Sequence, residues 1–178
     1  MRSAEVFLPF AKAAAAHKKI LSDDRAHFAR MIQRIENAVP GKPIGHFEII
    51  TPEGLKENLS NFRTQMVAVV FNSHNNSDSS LGRVRLSADY NISKLRDSGL
   101  LTIISVEPGP ASPEWLAATA SYPGEWVVGA MPDADEWFEI GFQPMIMLLD
   151  GRHKVLAKDL NIDGFMAMMA HLRQQTGL

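Results

Sequence analysis

The sequence predicts an α/β layered domain built on a mixed β-sheet, preceded by a helical segment. Three observations carry that expectation. Two continuous apolar runs rich in β-branched residues, Met66–Phe71 (MVAVVF) and Leu100–Val106 (LLTIISV), have the composition of buried parallel strands. A stretch of helical periodicity lies between them. Towards the C-terminus, an Asp150-Gly151 turn joins two further strand-like runs, which adds a hairpin to the parallel pair.

The first forty residues read as helix. The start, MRSAEVFLPFAKAAAAHKK, imitates a secretory leader, but Lys12 interrupts its apolar patch and no cleavage context follows. An alanine-rich helix is the reading it supports. Phe28, Met31, Ile32 and Ile35 form an i, i+3, i+4, i+7 stripe, with Ser22 and Asp23 as candidate N-caps. Pro40-Gly41-Lys42-Pro43 breaks the pattern and divides a helical segment, 1–40, from a main domain, 41–178.

His46–Ile50 reads as a short strand running into a turn at Thr51–Gly54. From Ser79 to Ser98 one helix is expected, with Leu81, Val84, Ala88, Ile92 and Leu95 on its apolar face and Gly99 at C′. Ser112-Pro113 starts a further helix with a hydroxyl N-cap and proline at N1. Trp126–Val128 is a weak strand, and Asp133 with Glu136 resembles a capping box for a short helix through Phe138. Met145–Leu149 and His153–Ala157 form the hairpin, and Phe165, Met168, Met169 and Leu172 share one face of the last helix.

Composition excludes several function classes. The chain has 178 residues, a formal net charge of −2 and no cysteine. The charge provides no basic field for nucleic acid or anionic lipid. Without cysteine there are no disulfides, thiolate catalysis or Cys-based metal sites. No run approaches the roughly 20 apolar residues that span a bilayer.

Several local patterns resemble one known family. Gly41-Lys42-Pro43-Ile44-Gly45-His46-Phe47, Thr51-Pro52-Glu53-Gly54 and Leu59-Ser60-Asn61-Phe62 match the entry of thioredoxin-like thiol–disulfide oxidoreductases. Trp137–Asp150 (WFEIGFQPMIMLLD) resembles the approach to that family's cis-proline, its following strand and its turn, and Lys154–Asp159 continues the match. The resemblance covers residues 41–178 and is closest to exported bacterial thioredoxin-like proteins with an extra helical region in front. It implies a three-layer sandwich, a central mixed sheet flanked by helices, with an N-terminal helical extension. It also implies a periplasmic or exported setting, although no signal peptide is recognisable and a cytoplasmic one stays open. In the redox-active relatives, Cys-x-x-Cys opens the helix after the MVAVVF-type strand. Counting from Phe71 puts those positions near Asn76 and Ser79, so the motif is degenerate and thiol–disulfide exchange has no nucleophile.

The turn VVFNSHNNSDSSL holds most of the candidate site. His74, Asn75, Asn76 and Ser77, with Asp78 and Ser79, can form a polar pocket at a helix N-terminus. The plainer reading is a solvated turn in which Asp78 or Ser79 caps the helix. His74 beside a serine invites an activated-hydroxyl reading, but no nucleophile-elbow glycines accompany it, and an exposed loop histidine is the simpler account. By the resemblance, Pro144 is the cis-proline and Gln143 presents backbone groups to an extended peptide, a recognition that needs no thiol. His17, His27, His46, His153 and His171 lack metal-ligand spacing, so no metal is expected; no cofactor is implied either. Core packing accounts for most methionines.

The expected function is therefore a redox-inactive thioredoxin-like binding module for an extended peptide or protein partner. Two alternatives stand beside it. One is a passive domain of a longer exported protein. The other is a non-thiol enzyme with His74 as acid or base, which a hydrogen-bonded carboxylate and a deep pocket would favour.

Overall fold

The computed structural model describes residues 2–17 and 20–178, with side chains from Phe7 onward in those ranges. Met1, Lys18 and Lys19, part of the leading stretch read as helix, lie outside the described residues. Among the described residues seven strands form one sheet: β1 (Glu48–Ile50), β2 (Lys56–Asn58), β3 (Met66–Phe71), β4 (Leu101–Pro108), β5 (Val127–Met131), β6 (Met145–Asp150) and β7 (Val155–Leu160). Their order is β2-β1-β5-β4-β3-β6-β7. The apolar runs of β3 and β4 pair in parallel from Met66↔Leu101 to Phe71↔Val106, and β5 pairs in parallel with β4. The sheet is mixed because β1 and β6 run antiparallel to their neighbours β5 and β3. Since Phe71 pairs with Met145, residue 72 and residue 144 meet at one end of the sheet.

Among the described residues seven α-helices accompany it: α1 (Arg2–Ala16), α2 (Ser22–Asn37), α3 (Ser77–Ala88), α4 (Tyr90–Asp97), α5 (Pro113–Thr119), α6 (Ala134–Trp137) and α7 (Ile162–Thr176). Strand alternation sorts the core into two sides. Ala68, Val70, Ile103 and Ile146 pack with Leu86, Leu95 and Phe165 of α3, α4 and α7. Val67, Val69, Phe71, Val106 and Met147 pack on the other face with Phe47, Ile49 and Phe138. The expected face of the last helix is present, with Phe165 and Met169 fully buried. Ser112 caps α5 by accepting the Trp115 N–H at 3.1 Å, and Gly99 takes φ +75° just past α4.

Four expectations are corrected. The helix over 79–98 is two helices, because Asp89 turns extended and its carboxylate accepts the Ile92 N–H at 2.9 Å to start α4. The stripe through Leu81 and Val84 is solvent-facing, at 59% and 63% exposure; α3 buries Ser79, Gly82, Arg83 and Leu86 instead. Neither Ser22 nor Asp23 caps α2: the N-cap position is Leu21, without a side-chain bond. Asp133 forms no capping box, since its carboxylate accepts the Trp137 indole N–H at 2.9 Å and lies 3.4 Å from His46 Nε2. The break at Pro40–Pro43 is stitched to the sheet: Gly41 N–H donates to Val155 O at 2.8 Å and Val155 N–H to Lys42 O at 2.9 Å. That covers the start of edge strand β7.

Candidate functional site

The end of β3 becomes polar and stays ordered through side-chain bonds. Asn72 is 1% exposed and prolongs the ladder by donating its N–H to Val106 O at 2.9 Å. Its Nδ2 donates to Ser105 Oγ at 2.8 Å and to Val70 O at 2.9 Å. Its Oδ1 accepts Arg83 Nη1 at 2.6 Å. Arg83 also donates to Ser80 Oγ at 2.9 Å, reaches Ser73 O at 3.5 Å, and lies 4.2 Å over the Tyr122 ring. Among the described residues no carboxylate lies within 4.0 Å of this buried guanidinium, so dipoles and an aromatic face stabilise it.

A second pair closes the turn from β4. Glu107 Oε2 accepts the His74 N–H at 2.8 Å, and Glu107 Oε1 is 3.1 Å from His74 Nδ1. The two side chains are 8% and 20% exposed. His74 is therefore not an exposed loop histidine. Two contacts to one carboxylate set its position, and a carboxylate facing Nδ1 selects the tautomer with the proton there. Tyr122 closes the layer; burial pushes its phenol above the usual range, with Arg83 opposing and Glu107 adding to the shift. Glu114, at the start of α5, is held below the ordinary carboxylate range by its own N–H and the Ser112 hydroxyl, with His74 a smaller contributor.

The structure separates the turn residues by role. Asn76 caps α3, its Oδ1 accepting the Ser79 N–H at 2.8 Å, so the cap is neither Asp78 nor Ser79. Ser79 is fully buried and its Oγ accepts the Ser73 N–H at 3.2 Å. Asn75, Ser77 and Asp78 are exposed. Across the sheet end, the Gln143–Pro144 peptide is cis. A Cβ on Gly82 would stand 2.8 Å from Pro144 Cγ, so α3 sits directly against this proline. Among the described residues no backbone–backbone hydrogen bond involves 139–144, an irregular segment that bends at Phe142–Pro144, so its backbone groups have no main-chain partner.

Arg83, Glu107, Ser105, Asn72 and Tyr122 escaped the sequence reading. Their signal is Ser105 and Glu107 at alternate positions of an otherwise apolar strand, a polar stripe that must face polar partners. Two clefts lie elsewhere, one at Gln33, Asn37 and Trp137 and one at Thr51, Tyr122 and Trp126; neither is lined by His74 or residues 75–80. No three His, Cys, Asp or Glu among the described residues are grouped to hold a metal ion.

No protein-family model matches the chain, and no curated protein matches it. Solved structures do. A thioredoxin-like protein from Bacteroides caccae superposes with a TM-score of 0.78 at 18% identity, over 96% of this chain and 63% of that one. The fold is thioredoxin-like. The thioredoxin domain of a thiol-disulfide oxidoreductase from Bacteroides vulgatus matches with a TM-score of 0.62 at 23% identity, over 75% of this chain and 97% of its own. A conserved protein of unknown function from Bacteroides fragilis matches at 0.69 and 21%, over 74% and 99%. The chain thus spans less than two thirds of the B. caccae protein. A thioredoxin-like fold without cysteine has no thiolate for disulfide exchange. No helix among the described residues is long and apolar enough to cross a membrane.

Proposed function

We propose that this thioredoxin-like domain is a redox-inactive binding module that takes an extended peptide between the 74–77 turn and Gln143-Pro144. The observation that carries the reading is the backbone of 139–144, without main-chain partners and ending at Pro144 against α3, because strand addition uses N–H and C=O groups of this kind. His74, Asn75, Asn76 and Ser77 form the facing wall. The helical segment 1–40 is a separate unit docked on domain 41–178, and the setting is exported or periplasmic, as the sequence resemblance implies.

The test is fluorescence anisotropy with labelled unstructured peptides and their N-methylated counterparts. Saturable binding that N-methylation at alternate positions abolishes is expected; binding indifferent to N-methylation would refute main-chain recognition. Two observations favour other readings. The Glu107–His74 contact supplies the carboxylate that a non-thiol enzyme needs, though neither cleft described above encloses it. The 63% coverage of the B. caccae protein favours a passive domain of a longer chain.

A further inference from the structure

His74 Nδ1 and the His74 N–H both face Glu107, which turns Nε2 away from the carboxylate. Nε2 makes no hydrogen bond or ion pair to any described residue. With Nδ1–H directed at Glu107, the other ring nitrogen, Nε2, is left as an acceptor. The acidic groups that face His74 are Glu107 from β4 and Glu114 from α5, with Arg83 buried behind the turn. His74 Nε2 is therefore an acceptor in a negative field.

We propose that His74 is a specificity-determining residue of the groove, selecting extended segments that bring a Lys or Arg side chain to Nε2. The inference rests on the peptide reading above and names its substrate class. A guanidinium or ammonium donates to Nε2 and gains from the two carboxylates, whereas an acidic side chain meets an acceptor and like charge.

The experiment uses three labelled peptides of one flexible backbone carrying a central Arg, Ser or Glu. The Arg peptide is expected to bind about tenfold more tightly than the Glu peptide, the worth of one solvent-accessible charge-assisted bond. His74→Gln, which keeps an acceptor, should hold the Arg preference; His74→Ala should lose it while still binding the Ser peptide. Equal binding of all three peptides to the wild type would overturn the role of His74 and leave the groove standing. A preference for the Glu peptide would overturn it too. No binding of any peptide would overturn both.

Discussion

Gly82→Ala probes the apposition of α3 and Pro144, on which the proposed groove depends. Alanine in place of glycine in an unopposed helix interior stabilises by about 1 kcal/mol. Here the new Cβ would lie 2.8 Å from Pro144 Cγ and 3.2 Å from Ile162 Cδ1. Ile162 Cδ1 is the end of a flexible side chain and can turn away. The proline ring is tied to the backbone on both sides, so α3 and the 143–145 segment must part by roughly 0.8 Å to reach ordinary contact. Overpacking of this kind costs about 1–3 kcal/mol. The net expectation is a loss of about 1 kcal/mol, a fall of about 2–4 °C in Tm for a chain of this size. Urea unfolding gives the free energy, and amide shifts at Met145 and Ser79 report the displacement. A Gly82→Ala protein more stable by about 1 kcal/mol, with those shifts unmoved, would refute the close packing.

Three further predictions follow from the same geometry. Arg83→Met leaves Asn72 Oδ1 without its buried donor and should cost about 1–3 kcal/mol in urea unfolding, with faster amide exchange at Ser73–Ser80; a neutral change would mean the network does not hold the turn. Asn76→Cys with Ser79→Cys should form a reducible intramolecular disulfide in a thiol titration, since one lies at the N-cap and the other is buried in the first turn; persistent free thiols would refute the register. Asp150 is held below the ordinary carboxylate range, chiefly by the Lys154 N–H. A lowered carboxyl stabilises the fold above the unfolded value and loses that contribution as pH falls through the folded one. Asp150→Asn should therefore be less stable than the wild type at neutral pH, the gap narrowing as the pH falls below the ordinary carboxylate range; a gap constant with pH would contradict the assignment.

What the sequence displays is its local chemistry. The β-branched runs of β3 and β4, the Ser112-Pro113 helix start, the Asp150-Gly151 turn and the Phe165/Met169 face each have a signal within a few residues, and each is present. What it hides depends on partners far along the chain. Leu81 and Val84 have helical spacing yet face solvent, because the opposite side of α3 is committed to Pro144 and to the polar layer of β3 and β4. The pairs His74–Glu107 and Asn72–Ser105 each join residues 33 apart, and no local rule links them. Strand β2, three polar residues with Lys56 and Glu57 among them, is a strand only because β1 pairs with it. Asp133 fits a capping box by spacing, but Trp137 and His46 compete for its carboxylate.

The central claim is that this thioredoxin-like fold, lacking thiols, keeps a working peptide groove. Amide-shift NMR titration of the intact chain with unstructured peptides tests it most directly. Perturbations clustered at Asn72–Ser80 and Phe142–Met145, saturating with peptide, are the predicted result. A spectrum unchanged at those residues up to millimolar peptide would contradict it.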